Sequence, residues 1–314
     1  MKKIENLQNL NIFVPRTVDT DEPYAPGHRG CVGCGEVLAM RLVAKAMGRN
    51  SVVCAATGCM EIISSMFPTN NWRIPWIHTL FENAAAVASG VRAAYTAMYR
   101  KGRIPTDDIN VVAMGGDGGT FDIGIQALSG ALERGHRFLY VCYDNEAYMN
   151  TGVQRSSATP FGASTSTSPA GKASKGQKAW KKNMPAICAA HNIPYVATAN
   201  PSYPYDLMEK VKKALSFNGP SYIQIFSACP TGWKSASEDS IKIGRLACET
   251  GAYPLYEIEN GIYRITVPTP QLRPLKEYLQ PQRRFRHLKD DDIVAIEQRL
   301  HQEYRELEAK SKNA

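Results

Sequence analysis

The stretch from Ile109 to Asn145 constrains the fold more than any other. INVVAMGG is an apolar run ending in glycines, FDIGIQALSGALERG carries apolar residues at helical spacing, and HRFLYVCYDN is a second apolar run. A strand, a helix and a strand in so short a span make a βαβ unit. Such a unit implies parallel pairing and a right-handed crossover, because a right-twisted strand and a right-handed helix pack back onto a sheet only that way. The same alternation surrounds it. EVLAMRLVAKAMG reads as a helix stopping at Gly48, SVVCAAT as a buried strand, and ENAAAVASGVRAAYTAMYRKG as a long helix closed by Lys101 and Gly102. Beyond the unit, KAWKKNMPAICAAHN reads as a helix, PYVATA as a strand, YDLMEKVKKALSFNG as a helix and SYIQIFS as a strand. The pattern predicts an α/β fold, a doubly wound, mostly parallel sheet.

That domain is expected over residues 31–235. Residues 1–30 form an N-terminal arm broken by Pro15, Pro23 and Pro26. Residues 236–314 form a polar C-terminal extension for subunit contacts, ending in DDDIVAIEQRLHQEYRELEAK, an amphipathic helix whose leading aspartates suit the helix dipole. Residues 150–178 are rich in Ser, Thr, Gly and Ala, and a loop of that length is either disordered or functional. No apolar run reaches the roughly 18 residues of a membrane span. MKKIENLQNLNIF has no apolar core for a signal peptide, so a cytoplasmic protein is expected. The net charge of +8 is scattered, apart from QRRFRHLK near the C-terminus, and no nucleic-acid motif accompanies it. It reads as a solvated surface favouring anionic ligands or an acidic protein partner, with QRRFRHLK either docking surface or solvated tail; nucleic acid is not an expected partner.

The eight cysteines divide into two groups. Cys54 and Cys142 lie inside strands, and Cys188 and Cys248 inside helices, as small buried hydrophobes do. The other four stand at element ends: Cys31 and Cys34 in the glycine-rich GHRGCVGCGE before a helix, Cys59 after one strand, Cys229 after another. In a parallel sheet these ends converge on one edge. Four thiolates there fit structural zinc or a [4Fe–4S] cluster. Zinc sites usually pair two CxxC knuckles, whereas one CxxC with two distant cysteines suits a cluster somewhat better; unligated thiols are the remaining reading. A CxxC redox dithiol leaves Cys59 and Cys229 unexplained.

MGGDGGTFD places Asp117 between glycine pairs at one strand end, and YDNEAYMNTG places Asn145 at the next. With the strands as neighbours, a carboxylate and an amide oxygen face one crevice, the donors a hard divalent cation takes, and the backbone carbonyl of Ala147 adds a third. The helix beginning near Thr120 presents free amides to phosphate. A lone GDG is often just a strand-to-helix turn. GDG followed by a second strand and DN resembles the diphosphate signature of thiamine diphosphate enzymes.

Taken together, CVGCGE, ATGC, GGDGG, DNEAYMNTG and RSSATPFG resemble the β subunit of the 2-oxoacid:ferredoxin oxidoreductases, of the pyruvate:ferredoxin type, from about residue 20 to 290 and in the family's order. The resemblance implies a [4Fe–4S] cluster on Cys31, Cys34, Cys59 and Cys229. It implies Mg²⁺ on Asp117, Asn145 and the Ala147 carbonyl; some members have Thr at the Asn145 position, which also offers an oxygen. It lines the diphosphate with Gly116, Gly118 and Gly119, and with Asn145, Glu146, Ala147, Tyr148, Met149 and Asn150. Glu36 and Cys59 touch the cofactor, Asn150 faces the substrate, and Ile62 supports the cofactor's bend or is plain core. Glu36 and Asn150 are the implied catalytic residues. The implied reaction is oxidative decarboxylation of a small 2-oxo acid, with electrons leaving through the cluster to ferredoxin. Pyruvate is the expected substrate, with oxalate and branched-chain 2-oxo acids as the alternatives; in most relatives the acyl group passes to coenzyme A, and whether this chain's enzyme uses it stays open. A non-redox thiamine enzyme with structural zinc is the rival of another class. Only one of the two domains that grip thiamine diphosphate is present, so a partner subunit is expected to hold the aminopyrimidine. No ferredoxin-type cysteine repeat occurs, so further clusters belong to a ferredoxin-like subunit. By the same resemblance, the home is an anaerobe's cytoplasm.

Overall fold

The computed structural model describes residues 18–312; the first part of the expected N-terminal arm lies outside the described residues. Helix α1 (Gly35–Met47) leads into β1 (Ser51–Ala56), a single-turn α2 (Cys59–Ile62), β2 (Trp76–Thr79) and α3 (Ala84–Arg100). Strand β3 (Asn110–Gly116), a π-helical turn at Gly119–Ile123, α4 (Ile125–Glu133) and β4 (Phe138–Asp144) make the βαβ unit. The helix therefore opens wider than a regular α-helix, and such π turns are common at functional sites. A small hairpin, β5 (Ala170–Gly171) and β6 (Ser174–Lys175), precedes α5 (Met184–Ala189), β7 (Tyr195–Ala199), α6 (Pro204–Ser216), β8 (Pro220–Phe226) and α7 (Pro230–Trp233). The chain ends with α8 (Ser240–Glu249), β9 (Tyr256–Glu259), β10 (Ile262–Ile265), α9 (Leu275–Leu279) and α10 (Asp290–Lys312).

One eight-stranded sheet runs β10-β9-β7-β8-β4-β3-β1-β2. The pairs β7–β8, β8–β4, β4–β3, β3–β1 and β1–β2 are parallel, while β9 pairs antiparallel with both β7 and β10. All seven residues of β4 and of β8 are buried, as expected for strands covered on both faces. The consequence for function is positional. β8, β4, β3 and β1 are consecutive in the sheet, so the turns after them lie side by side along one carboxyl edge.

Three expectations change. The helix read across KAWKKNMPAICAAHN is short: Asn183 caps α5 by accepting from the Ala186 amide, and Pro185 sits in its first turn. Upstream, Lys181 and Lys182 are drawn inward to Asp144, Glu146 and the Phe121 carbonyl, which holds that segment off a helical path. The serine-rich 150–178 loop is ordered by its hydroxyls: Ser156, Ser157 and Thr159 bond Asp117, Asp122 and the Glu146 carbonyl. Finally, QRRFRHLK is neither a docking patch nor a solvated tail throughout, because Gln282, Arg284 and Phe285 are buried. Phe285 joins a second apolar cluster with Phe226, Trp233, Tyr253 and Tyr278 that covers the carboxyl edge beside Cys229. Among the described residues no helix is long and apolar enough to cross a membrane.

Candidate active site

Four neighbouring turns build the site. The turn after β3 carries Asp117, fully buried, with Ser156 Oγ donating to its Oδ2 at 2.5 Å. The turn after β4 carries Asn145, whose Nδ2 donates to Glu36 Oε2 at 2.9 Å. That bond fixes the amide so that its oxygen faces away from Glu36. Asp117 Oδ1 and Asn145 Oδ1 are both buried and both without a hydrogen-bond partner. Buried polar atoms are rarely left so, and two oxygens of this kind in one pocket are a donor set for a hard cation.

That pocket is lined by Glu36, Thr57, Gly58, Cys59, Phe81, Gly116, Asp117, Gly118, Gly119, Asn145, Ala147, Tyr148, Met149, Asn150 and Thr151. Its glycines have physical reasons. A Cβ on Gly118 would strike the Tyr148 ring at 2.4 Å, and one on Gly119 the Phe81 carbonyl at 2.8 Å. Tyr148 OH in turn donates to the Gly118 carbonyl at 2.9 Å. Two expected residues lie elsewhere. Glu146 faces the interior, and Ile62 ends α2 half-exposed, outside the pocket lining.

Burial pushes the Asp117 carboxyl well above the usual carboxylate range, and the neighbouring Asp144 pushes it further. Burial likewise raises Glu36, to about 7, although the bond from Asn145 pulls it back in part. The sign for stability follows. Between the ordinary carboxylate range and the raised Asp117 value, the folded state binds a proton that the unfolded state has lost. Stability of the cofactor-free chain is therefore expected to fall as pH rises from about 4 through that window. Asp144 is raised too and adds the same sign. Urea denaturation across pH checks this: the slope should flatten in Asp117→Asn, and a flat wild-type profile would contradict it.

The thiols occupy the same rim. Cys34 caps α1, whose first amide, on Gly35, donates to the Ala228 carbonyl at 2.9 Å, so the CxxC turn is pinned beside Cys229. Cys229 opens α7, its sulfur accepting from the Gly232 amide. Burial raises Cys34 to about 12 and Cys229 to about 11. Burial also raises Cys59, and charge on Glu36, Cys229, Cys34 and Cys31 adds to it in that order. The four sulfurs thus lie in one another's field. They ring the edge without closing on a point: among the described residues no three His, Cys, Asp or Glu side chains are gathered as a ready metal set. Thiols that oppose one another's ionisation in this way suit a site where bound metal supplies the compensating charge. Cys59 belongs to both groups, lining the oxygen pocket and sharing the thiol field.

Gly33 holds the CxxC turn at φ +72°, and a Cβ there would sit 2.3 Å from the Ser237 carbonyl oxygen. Gly33→Ala is expected to cost about 2 kcal/mol or more in a denaturant titration, from backbone strain and the clash together.

Sequence reasoning did not assign roles to Ser156, Lys181, Trp233 or Arg284, all of which support this rim. Trp233 Nε1 donates to the Asn145 carbonyl at 3.0 Å. Only Ser156 carried a signal, being part of RSSATPFG.

The fold and pocket define a thiamine diphosphate enzyme domain: residues 56–225 match the family model for the thiamine pyrophosphate enzyme C-terminal TPP-binding domain. The chain is 58% identical over 278 residues to pyruvate synthase subunit PorB of Methanocaldococcus jannaschii, covering 88% of this chain and 93% of that one. It belongs to the PorB family of 2-oxoacid:ferredoxin oxidoreductase β subunits, and so is an oxidoreductase subunit of a multi-subunit enzyme. It is 56% identical over 281 residues to the PorB of Methanothermobacter thermautotrophicus, covering 90% and 96% of the two chains. The 2-oxoglutarate:ferredoxin oxidoreductase of Magnetococcus marinus shares its fold, with a TM-score of 0.57 at 23% identity over 89% of this chain and 97% of that one.

Proposed function

We propose that this chain is the thiamine diphosphate-binding subunit of a pyruvate synthase. Asp117, Asn145 and the Ala147 carbonyl would hold Mg²⁺, and Cys31, Cys34, Cys59 and Cys229 a [4Fe–4S] cluster. Gly116, Gly118 and Gly119 let the backbone approach the diphosphate, and Asn150 faces the substrate. Thiamine diphosphate held there would supply carbanion and electron-sink chemistry toward a 2-oxo acid. The chain's own contribution is orientation and charge. Glu36 fixes the Asn145 amide, Asp117 neutralises the cation, and the thiol set gives electrons an exit beside the cofactor. The observation that carries the reading is the pair of unpartnered buried oxygens on Asp117 and Asn145, in a pocket that shares Cys59 with the thiol group.

The aminopyrimidine-binding half, a ferredoxin-like subunit with further clusters, the ferredoxin acceptor and coenzyme A complete the reaction, in an anaerobe's cytoplasm. The relatives at 58% and 56% identity carry the name pyruvate synthase, which favours pyruvate. The Pyrococcus abyssi relative at 45% is a ketoisovalerate oxidoreductase subunit, so branched-chain 2-oxo acids belong in the test.

The test is an anaerobic preparation of the complex, assayed on pyruvate, 2-ketoisovalerate and oxalate with a low-potential dye. The expected outcome is pyruvate-dependent dye reduction with coenzyme A, and about four irons per copy of this chain beyond those of the other subunits. A colourless complex holding zinc, or turnover faster on another acid, would overturn it. Turnover by this chain alone would remove the need for a partner.

A further inference from the structure

Arg284 lies within QRRFRHLK, in the 3₁₀ turn Arg283–Phe285, far along the chain from the strand-end motifs of the site, yet it is only 5% exposed. Its Nη2 donates to Glu146 Oε2 at 2.5 Å. Nη2 and Nε also donate to Gln282 Oε1 at 2.7 and 2.9 Å. The guanidinium lies 4.0 Å from the centre of the Trp233 ring.

Both principal contacts lead to the site. Glu146 stands between Asn145 and Ala147 with φ +68°, a conformation that a residue with a Cβ holds only when its surroundings impose it. Its buried carboxylate is paired on one oxygen by Lys181 and on the other by Arg284. Trp233 donates to the Asn145 carbonyl, and its own amide donates to the Cys229 carbonyl at 2.9 Å. One side chain thus grips the residue between two oxygen donors and the ring that closes the Cys229 turn.

We propose that Arg284 is a positioning residue that locks the Asn145–Ala147 turn to the Cys229 turn, fixing the cofactor side of the site against the thiol side. This rests on the reading of the pocket given under Proposed function. Lys181 is the natural comparison. It donates to Glu146 Oε1 at 2.9 Å and pairs with Asp144 Oδ2 at 2.6 Å, but its ring contact is with Tyr253, not Trp233. It supports one turn only. The role also calls for arginine, since a planar fork can donate in its plane and stack on a ring at once, and an ammonium cannot.

The experiment compares the anaerobically purified complex as wild type, Arg284→Lys, Arg284→Met and Lys181→Met. The readouts are the Mg²⁺ concentration for half-maximal thiamine diphosphate binding, the midpoint potential of the cluster nearest the cofactor by redox titration, and the melting temperature. Both Arg284 variants are expected to raise the Mg²⁺ requirement about tenfold or more, as loss of an outer-shell support typically does, and to shift the midpoint. Lys181→Met is expected to raise the Mg²⁺ requirement and leave the midpoint in place. Should Arg284→Met not assemble, Arg284→Lys carries the test, because it keeps the charge facing Glu146 and loses the stacking; its midpoint should still move. Wild-type behaviour in both Arg284 variants, or an equal midpoint shift in Lys181→Met, would overturn the coupling. A wild type without Mg²⁺-dependent thiamine diphosphate binding would sink the pocket reading first, and the coupling with it.

Discussion

Replacing Asp117 with alanine is expected to remove thiamine diphosphate-dependent turnover from the assembled enzyme, by about a thousandfold or more. The side chain is fully buried and its Oδ1 has no partner, so it offers the pocket an unpartnered carboxylate oxygen for a cation. A bound metal is worth several kcal/mol in such sites, and each 1.36 kcal/mol is about tenfold in rate. The loss should appear at the binding step. Calorimetric titration of thiamine diphosphate with Mg²⁺ should show no Mg²⁺-dependent binding in the variant. The fold should survive, because the substitution also removes a buried acid that Asp144 opposes. Retained Mg²⁺-dependent affinity would show that the unpartnered oxygens serve something else.

Cys229→Ala should fail differently. Iron is expected to fall by about four per copy of this chain, with dye reduction down roughly a hundredfold or more, since losing a ligand itself should exceed the 10–100-fold cost of losing an outer-shell support. Thiamine diphosphate should still bind, because Cys229 lies outside the pocket that Asp117 and Asn145 share. The turn it opens is held independently by the Trp233 bond to Asn145 and by the Phe226 cluster, so global unfolding is not expected. Unchanged iron by metal analysis would remove Cys229 from the ligand set. The two variants together separate an oxygen site from a sulfur site, which no single substitution at the shared Cys59 can do.

The candidate site was legible in the sequence where its residues sit at strand ends. The apolar runs before Asp117, Asn145, Cys59 and Cys229 are unmistakable as buried parallel strands, and their order in the sheet makes the following turns neighbours. The supports were not legible, because their partners are remote in sequence. Nothing near Arg284 says that it stacks on Trp233. Its neighbours Arg283 and Arg286 make the segment read as surface. The hairpin β9–β10 was hidden in the same way. Glu257 looks solvated but is buried, meeting Tyr195 OH at 2.8 Å and Lys213 Nζ at 2.9 Å, with Arg264 also bound. Polar residues inside a short strand, here β9 between β7 and β10, erase the alternation that marks a strand. The 150–178 loop illustrates a third limit. Its composition suits disorder, and its hydroxyls gain a structure only from what they meet, chiefly Asp117, Asp122 and the Glu146 carbonyl.

The contact between Arg284 and Glu146 spans 138 positions. Ribosomes add about 5–20 residues per second, so translation must continue for roughly ten seconds after Glu146 is made before the arginine that clamps it exists. When Glu146 is made the nascent chain already has three of its four rim cysteines, and Cys229 follows before Arg284, so every rim thiol exists before the clasp does. On the positioning role proposed for Arg284, full-affinity loading with metal and cofactor is a step for a chain translated past residue 284, and a product ending before it would hold them more weakly.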